Sequence, residues 1–509
     1  MKNTKEIYIR TSNLSTNVLA LKQFFIKNKI EAYLVGGAVR DACLNRDTED
    51  LDVVIASSDI SLGLKLAIAL KGKCIPLDPV RNIDRIVFPK NELTVDVTYL
   101  NNSNTIEDDL IKRDFTIDSI AISLNQSEAD ANTRLIDPSN GFADLEHHLI
   151  KATSEQAFHC DPIRILRGVR LSAQLGFAID DRTEKWIRKS ISLLLNVSKE
   201  RVRDELLKII SSPNIASSLY KLDSLGLLTI IIPELENCKD VEQPGEHCYD
   251  VFKHSLETPR MLELILGELN NTSRAVKFIP RFERWETFFQ EIYADGATRF
   301  TLLKLAGLLH DIGKPQTKTV ESDGRIRFLG HGNLGAETSQ SIMDRLRFSK
   351  KASNYVTSIV KHHLRPSQLA PKGLMPSKKA VYRYYRDLGD VSVDTIYINL
   401  SDYMAAKGDK ILESRFDLSD WERHCKMAAT ILNNKQKDDP DIYLRIVNGY
   451  DLMSELGLEP GPFVGKLIDL ISESYAAGEI NNRKEAIDFA RTVITVSYTH
   501  LTLPTSDLV

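Results

Sequence analysis

The chain has 509 residues, of which 42% are hydrophobic and 27% are charged, and its formal net charge is −4. This length accommodates roughly two to four domains, and because no run of about 20 apolar residues occurs, no membrane-spanning helix is predicted. A slightly acidic chain does not grip nucleic acid with its whole surface, since contacts to phosphates depend on clustered Lys and Arg.

Composition and charge pattern also indicate in which cellular compartment the protein is expected and which segments could contact RNA. The six cysteines have no CxxC spacing, so neither a disulfide framework nor a zinc ribbon is predicted. The first residues lack the apolar core of a secretory signal, and we expect a cytoplasmic protein with no membrane partner. Residues 185–189 and 199–203 could supply a local basic patch for RNA, although their alternating charges also fit a solvated helix face.

Residues 1–150 have the pattern of an α/β domain, and the chain beyond Asp161 has that of helices. Strands are predicted at 32–35, 51–55, 83–88 and 93–99. Helices are predicted at 163–175, 183–195 and 201–210, and few strand signals follow as far as Ala490. Polar segments at 237–246 and 433–441 are predicted domain boundaries.

Two glycines and three aspartates form the first candidate site. Gly36 and Gly37 separate a predicted strand from a helix, where backbone N–H groups could meet a triphosphate, although a plain turn has the same sequence. Asp50 and Asp52 begin the next strand, and residues two apart face the same side, so both carboxylates could hold Mg²⁺. Two such ions are a known solution for nucleotidyl transfer. Asp96 is a candidate third catalytic carboxylate, and solvated aspartates at a sheet edge are the alternative.

Five motifs then follow one another in a specific order: LVGGAVRD (34–41), DLD (50–52), KRDFTID (112–118), IDPSNGFADL (136–145) and DPIRILRGVR (161–170). Together they resemble class II CCA-adding enzymes and bacterial poly(A) polymerases, over residues 30–235. The resemblance implies a polymerase-β-like head that adds nucleotides to an RNA 3′ end, with Asp50 and Asp52 as metal ligands.

The same resemblance implies residues that bind the incoming nucleotide. Arg113 and Asp114 match a motif that contacts its sugar and phosphates, and an arginine suits bidentate phosphate binding. Further nucleotide-binding residues in the matching motifs are Gly36, Gly37, Arg40 and Arg167. The family usually has Asn-Ala where this chain has Asp118-Ser119, and an aspartate accepts but cannot donate, which weakens a phosphate-facing role.

Asp161 and Arg164 match the pair that acts as a protein template for the base of ATP or CTP. They are three residues apart and are therefore predicted on one helix face. The family commonly has Glu before this Asp, whereas this chain has Cys160, so another residue could support base selection. The helix around residues 200–206 resembles a motif expected to brace the template helix.

Histidines and aspartates recur in a second pattern further along the chain: His254, His310, Asp311, His331, His362 followed by His363, and Asp402. These are ligand types for divalent transition metals. The order resembles the HD phosphohydrolase superfamily, which implies an all-α domain with one or two metals; His362 is taken as the ligand of the adjacent pair. Lys314 could assist a phosphate, but a solvated lysine at a helix end is the alternative.

Residues 446–453, 458–462 and 478–480 resemble the C-terminal helical part of the same nucleotidyltransferases, which in that family helps to grip tRNA. We therefore expect an α+β protein with a nucleotidyltransferase head, then a predominantly α-helical body, HD domain and tail. The expected domains are 1–150 (head), 151–237 (template and RNA-binding helices), 246–432 (HD) and 441–495 (tail). Residues 496–509 have neither helical nor strand logic and are interpreted as an artefactual or disordered end.

The expected function is template-independent addition of CMP and AMP from CTP and ATP to tRNA, with Mg²⁺ in the head and Mn, Ni, Co or Fe in the HD site. A-adding, CC-adding or poly(A)-forming activity remains an alternative, as does an HD phosphohydrolase with an RNA-binding head. The sequence leaves the oligomeric state undetermined.

Overall fold

The computed structural model describes residues 7–10, 16–48, 50–78, 82–88, 93–100, 105–125, 132–245, 247–267, 273–371, 373–435 and 446–501. The chain divides into two units, the first made of residues 1–212 with 221–231, and the second of residues 213–220 with 232–509. Within the described ranges, no helix combines the length and apolar character needed to cross a lipid bilayer.

An eight-stranded sheet lies at the centre of the first unit. Its strands are β1 (Tyr8–Arg10), β2 (Ala32–Val35), β3 (Asp50–Ile55), β4 (Lys73–Asp78), β5 (Ile83–Phe88), β6 (Leu93–Tyr99), β7 (Ala121–Ser123) and β8 (Asn132–Ile136). Their order across the sheet is β1-β8-β7-β2-β3-β6-β5-β4. Neighbouring strands are antiparallel except for the parallel pair β3 and β6. Three of the four predicted strands have the predicted bounds, and β3 begins one residue earlier.

Five helices accompany this sheet: α1 (Thr16–Asn28), α2 (Gly37–Cys43), α3 (Leu62–Ala69), α4 (Ile106–Ile111) and α5 (Gly141–Glu146). Apolar side chains from one face of the sheet, among them Leu51, Val53 and Val95, are buried in one core with helix residues such as Leu21 and Leu66. The alternation of β3 and β6 therefore turns their polar residues to the opposite face.

Short helices and one small strand pair complete the first unit. The strands are β9 (Leu149–Ile150) and β10 (Ala178–Ile179), which pair in parallel. The helices are α6 (Gln156–Cys160), α7 (Arg164–Leu175), α8 (Asp181–Ser190), α9 (Lys199–Ser211), α10 (Ile215–Ser224), divided between the units, and α11 (Leu228–Ile231). Gly176 ends α7 in the left-handed conformation that glycine adopts without strain.

The second unit is predominantly helical. Its first part contains α12 (Val251–Leu266), α13 (Trp285–Gln290), α14 (Arg299–Leu309), α15 (Lys314–Thr317), α16 (His331–Arg345), α17 (Lys350–His362), α18 (Lys378–Leu388), α19 (Ser392–Lys407) and α20 (Ser419–Lys435). Asp250 caps α12 by accepting from the Lys253 N–H, a role for which aspartate is well suited at a helix start. Two antiparallel strand pairs were not expected from the sequence: β11 (Ile292–Ala294) with β12 (Ala297–Thr298), and β13 (Lys318–Val320) with β14 (Ile326–Phe328).

The end of the chain forms three helices, α21 (Gly449–Leu456), α22 (Pro462–Ala476) and α23 (Arg483–Leu501). Leu452, Leu467 and Ala486 are fully buried in a core that these helices share. Contrary to the expectation of no helical pattern after residue 495, α23 continues to Leu501. The interpretation of residues 496–509 as an artefactual end stays a prediction. Residues 502–509 of the same predicted segment lie outside the described residues.

Candidate functional sites

Three carboxylates meet on one face of the first unit's sheet. Asp50 and Asp52 are exposed while Leu51 between them is buried, so the two aspartates share the polar face of β3 as predicted. The parallel pairing of β3 with β6 sets Asp96 directly beside Asp52. Neighbouring strands are about 4.8 Å apart, so these side chains lie within reach of a common cation.

The glycine turn closes on the same carboxylates. Gly36 has a positive φ of 72°, and a Cβ atom there would lie 3.0 Å from Asp52 Oδ2 and 3.1 Å from a nitrogen of the Arg113 guanidinium. A side chain at this position would therefore be strained and crowded. The turn, Asp52 and Arg113 consequently define one small site at the start of α2.

Asp52 has an unusual charge environment. Although part of the residue is accessible to solvent, the protein atoms crowded around its carboxylate raise its pKa. Arg113 opposes this shift, whereas Asp96 and Asp118 add to it. Carboxylates that repel one another in this way are well suited to a cation, which relieves the repulsion.

Arg85 is a member of this site that sequence reasoning missed. Its Nε and Nη2 donate to the two oxygens of Asp96 at 2.8 and 2.7 Å, a bidentate pair across β5 and β6. This hydrogen bonding raises the pKa of Arg85, and Asp50 and Asp52 contribute to the shift. The alternation of β5, which turns Arg85 to the face opposite Ile86, was the available signal.

Two predicted nucleotide-binding arginines are held by buried aspartates. Arg40 Nη1 donates to Asp118 Oδ1 at 2.7 Å, and Arg167 Nε lies 2.8 Å from Asp114 Oδ2. Asp118, at the position where the family usually has Asn, therefore accepts from the Arg40 guanidinium and orients it. These ion pairs raise the pKa values of both arginines, against the effect of burial.

The predicted template pair does not lie on one helix. Asp161 has an extended conformation at the end of α6, and α7 begins only at Arg164, so the prediction of a shared helix face is wrong. Asp161 Oδ2 accepts from Arg201 at 2.7 Å, whereas Arg164 Nη1 donates to the carbonyls of Lys112 and Ala157 at 3.2 and 3.4 Å. A proline at position 162 explains the interruption, because the residue before proline is pushed out of the α conformation.

Helix α9 contacts the template region in the way the motif at 200–206 implies. Arg201 reaches Asp161, and Glu205 Oε2 lies 2.9 Å from Arg170 Nε on α7. Glu205 is buried, so its carboxylate needs a partner such as Arg170. Cys160 is exposed beside Asp161.

The second unit contains a separate cluster of imidazoles and carboxylates, drawn from the following positions: His254 on α12, His310 and Asp311 after α14, His331 at the start of α16, His363 after α17, and Asp402 on α19. His254 Nε2 lies 3.2 Å from His310 Nε2 and 3.0 Å from Asp402 Oδ1. His331 Nε2 lies 3.3 Å from His363 Nε2. Asp311 lies between the two pairs, with Oδ2 3.2 Å from His310 and Oδ1 3.6 Å from His331.

The outer nitrogens of three of these imidazoles are fixed by backbone carbonyls. The Nδ1 atoms of His310, His331 and His363 pair with the carbonyls of Gly307, Phe328 and Val360 at 2.6 to 2.7 Å. Each Nδ1 then carries a hydrogen, so whenever the ring is neutral the lone pair lies on Nε2 and faces the cluster. Two imidazole nitrogens bound to one ion at about 2.0–2.1 Å lie about 3 Å apart, close to the separations seen here. The cluster therefore has the arrangement of a metal centre.

The charges inside the cluster balance one another. Burial alone would lower the pKa of His310, but Asp311 and Asp402 raise it to about 10. Burial opposes ionisation of Asp311, yet His310 and Lys314 hold its pKa well below the ordinary value. Burial and the neighbouring His310 lower the pKa of His363 to about 4, so its ring is neutral, as a metal ligand must be.

His363, and not His362, belongs to the cluster. Consecutive helical residues point about 100° apart, and of the two histidines only His363 is buried, with its Nε2 3.8 Å from Asp311 Oδ1. His362 is half-buried. Burial lowers its pKa, and the charges of the nearby Lys361 and Arg365 lower it further. The spacing Val356, Ile359, Val360, His363 on one helix face was the signal that would have selected the correct residue.

Lys314 is also placed differently from the solvated helix-end lysine that the sequence allows. It is buried, and its Nζ lies 2.6 Å from Asp311 Oδ2 and donates to Gln243 Oε1 at 2.6 Å. His247, which sequence reasoning did not consider, packs edge-on against His254 with ring centroids 5.4 Å apart. Burial lowers the pKa of His247 to about 4, and Lys314 and His254 add to this shift.

Comparison with known proteins assigns these two sites to two domain types. The Poly A polymerase head domain matches residues 32–151, and the RNA and SrmB-binding site of polymerase A matches 176–239. The HD domain matches 251–407, and tRNA nucleotidyltransferase domain 2 matches 441–490. A nucleotidyltransferase head joined to an HD domain is therefore the class that the fold and both sites define. Both domain types imply dependence on divalent metal ions.

Relatives identify the family. The chain is 31% identical to an A-adding tRNA nucleotidyltransferase of Deinococcus radiodurans, over 90% of this chain and 95% of that protein. It is 28% identical to a CC-adding tRNA nucleotidyltransferase of Thermus thermophilus, over 90% of this chain and 93% of that protein. A Thermotoga maritima CCA-adding enzyme complexed with tRNA has the same fold, with a TM-score of 0.61 at 20% identity, over 96% of this chain and all of that one. The chain belongs to the tRNA nucleotidyltransferase family, and the expected enzyme class and fold class are confirmed.

Proposed function

We propose that the first unit transfers nucleotides from CTP and ATP to the 3′ end of tRNA. The observation that carries the proposal is the row of Asp50, Asp52 and Asp96 on one sheet face, closed by Gly36 and Arg113. Relatives named CC-adding, A-adding and CCA-adding support the reaction and leave the product among these three. Addition of the complete CCA is the product we propose for this chain.

In this proposal Asp50 and Asp52 hold Mg²⁺, with Asp96 as the third carboxylate. When bound, the metal activates the attacking 3′-hydroxyl and neutralises the departing pyrophosphate. Arg113, whose guanidinium lies against the glycine turn, binds phosphate oxygens. The Gly36 N–H itself donates to the carbonyl of Ile120 at 3.3 Å, so of the two turn amides the Gly37 N–H is the one proposed to meet the phosphates.

Further residues orient the nucleotide. Arg40 and Arg167 contact its phosphates and sugar from positions fixed by Asp118 and Asp114. Asp161 and Arg164 select the base, the carboxylate accepting from an exocyclic amino group and the guanidinium donating to a ring nitrogen or carbonyl. Arg201, paired with Asp161, replaces the support that the missing Glu at position 160 would give.

The second proposed activity is hydrolysis of a phosphomonoester or 2′,3′-cyclic phosphate in the HD domain. It is supported by four buried imidazoles and two carboxylates. The Nε2 atoms of His254 and His310 lie 3.2 Å apart, and those of His331 and His363 lie 3.3 Å apart. Imidazole with carboxylate suits Mn, Ni, Co or Fe, and His254, His310, Asp311, His331, His363 and Asp402 would hold the ion or ions. Lys314 binds the phosphate from its place beside Asp311.

We also propose the division into a head (1–150), template and RNA-binding helices (151–237), HD domain (246–432) and tRNA-gripping tail (441–495). The burial of Leu452, Leu467 and Ala486 in one separate core supports the last of these.

One assay tests the transferase. Purified protein is incubated with tRNA lacking its 3′ CCA and with CTP alone, ATP alone or both, and the products are sized on a sequencing gel. Asp50→Ala and Asp52→Ala are expected to remove incorporation, whereas Asp47→Ala, which changes an exposed aspartate three residues upstream, is expected to leave it intact. Extension by Asp52→Ala at the wild-type rate would contradict the assignment of the head.

A further inference from the structure

A cavity of about 290 Å³ lies in the second unit, and it is used by neither proposed activity. It is formed by residues of the segments 367–371 and 373–375, the end of α19 and the first half of α20. The residues that matter for its chemistry are Ser367, Met375, Tyr403, Lys407, Arg423 and His424. None of the metal-cluster residues lines this cavity.

One wall of the cavity is a rigid aromatic stack. The Tyr403 ring lies nearly parallel to the rings of His424, at a centroid distance of 4.9 Å, and Trp421, at 5.4 Å. Trp421 is fully buried, and its Nε1 donates to the carbonyl of Ala275 at 2.8 Å. The flat wall is therefore held in place by the protein itself, which lowers the cost of stacking a flat ligand.

The same wall contains a nitrogen, His424 Nε2, that lacks a hydrogen-bond donor among the described residues. The His424 ring donates to the backbone carbonyl of Asn399, which leaves Nε2 as the acceptor. Nε2 is buried and, among the described residues, has no hydrogen-bond partner. Buried polar atoms are nearly always hydrogen-bonded, so this nitrogen is a candidate acceptor for a ligand N–H once the side chains around it shift to admit one.

The mouth of the cavity combines apolar and cationic side chains. Leu374 and Met375 are 63% and 44% exposed, which is unusual for large apolar side chains placed together. The Lys407 ammonium lies 5.6 Å from the centre of the Tyr403 ring, and Arg423, paired with Asp420, is largely exposed. A flat apolar wall, one acceptor and two cations together match a base with an attached phosphate.

We propose that this cavity is a nucleotide-binding site, separate from the head and from the metal cluster. The base packs against Tyr403 and donates an N–H to His424 Nε2, and the phosphate lies between Lys407 and Arg423. The nucleotide is either free or the terminal residue of an RNA. The proposal depends on neither nucleotidyl transfer nor phosphate hydrolysis.

The site nevertheless adjoins the metal cluster through two residues. Asn399 Nδ2 donates to the carbonyl of His363 at 3.0 Å and to Ser367 Oγ on the cavity wall at 3.4 Å. Tyr403 directly follows Asp402 on α19. Separate variants are therefore needed to distinguish binding in the cavity from binding at the metals.

Isothermal titration calorimetry of the full chain with AMP tests the proposal. The parent protein carries Arg164→Ala to weaken binding in the head, and His310→Ala is added in a second series to disable the metal cluster. We expect AMP binding to survive in both. Tyr403→Leu is expected to weaken it roughly 5- to 150-fold, the effect of losing one base-stacking contact.

The remaining variants separate the polar contributions. His424→Phe keeps the stacked ring but removes the acceptor, and Lys407→Met removes a cation; both are expected to weaken AMP binding at least several-fold. Lys410→Met, which changes an exposed lysine three residues further along that does not line the cavity, is the matched control. If Tyr403→Leu fails to fold, Lys407→Met at the mouth carries the test.

Titration with CpCpA and with inorganic phosphate completes the experiment. Tighter binding of CpCpA than of AMP assigns the site to an RNA end, and the reverse order assigns it to a free nucleotide. The proposal is overturned if AMP binding disappears with His310→Ala alone, if it is unchanged in all three cavity variants, or if phosphate binds as tightly as AMP.

Discussion

Replacing either histidine of the adjacent pair tests the metal centre with a built-in control. His363 is buried, its Nε2 lies 3.3 Å from that of His331, and its Nδ1 is fixed by the carbonyl of Val360. His362, one residue earlier, is half-buried and points elsewhere. We expect His363→Ala to lose metal and phosphatase activity, and His362→Ala to keep both.

The size of the effect follows from the role of a ligand. Disturbing a residue that only orients a ligand typically costs 10- to 100-fold in metal affinity, so loss of the ligand itself should cost at least about 100-fold. At saturating metal a 100-fold weaker dissociation constant removes about 2.7 kcal/mol of metal-dependent stabilisation. In the metal-free protein, His363→Ala also removes the close approach of the His363 and His331 Nε2 lone pairs. The substitution should therefore lower the free energy of unfolding less in the metal-free protein than in the metal-loaded protein.

Three measurements on both variants decide the matter. Metal content is determined by mass spectrometry after dialysis, thermal unfolding is followed with and without added Mn²⁺, and hydrolysis of p-nitrophenyl phosphate is assayed with Mn, Ni, Co or Mg. Equal metal content in His363→Ala and the wild type would refute the geometry. So would loss of metal in His362→Ala alone.

Three other predictions concern base choice, RNA contact and pH. Asp161→Ala or Arg164→Ala should shift the ratio of CTP to ATP use by roughly 5- to 150-fold while some transfer persists, because a good base contact is worth about 1–3 kcal/mol; complete inactivity would indicate a structural role. Affinity for tRNA, read by filter binding, should fall with salt by roughly 0.7–0.9 log units per log unit for each neutralised phosphate, and a flat profile would contradict a basic patch. Burial lowers the pKa of His247 to about 4, so between about pH 6.5 and 4 the unfolded chain takes up a proton that the folded chain does not, and stability falls with falling pH. His247→Gln should remove about 2–3 kcal/mol of this loss between pH 7 and 4.5 in urea unfolding, and an unchanged pH dependence would show that the ring is not shielded.

The sequence predicts the strands well because their side chains alternate between a core and a wet face. That alternation sets the bounds of β2, β5 and β6 and the shared face of Asp50 and Asp52. The choice between His362 and His363 is of a different kind. It needs the helix face to be read from Val356, Ile359 and Val360, a step that a pattern of residue types alone leaves out.

Contacts between distant elements escape sequence reasoning for another reason. From the local sequence, Lys314 is predicted to be a solvated lysine at a helix end. In the fold its ammonium group donates to Gln243, which is 71 residues earlier in the chain. The template pair fails through backbone geometry, since Pro162 breaks the helix between Asp161 and Arg164. The first error comes from a partner far away in the sequence, whereas the second was avoidable from the local sequence, because a proline directly after Asp161 disfavours the α conformation there.

Asp118 shows how a departure from a family motif acquires meaning only with its partner. Alone, an aspartate facing a triphosphate would add repulsion. In the structure it is buried and accepts from Arg40, 78 residues earlier, just as Asp114 lies against Arg167. Both arginines therefore have fixed positions before any nucleotide binds, but each carries a neutralising carboxylate. Under the proposed assignment, the positive charge for the triphosphate must then come mainly from the metal at Asp50 and Asp52 and from Arg113, whose own partner, Asp109, is more exposed at 37% and lies 3.2 Å away.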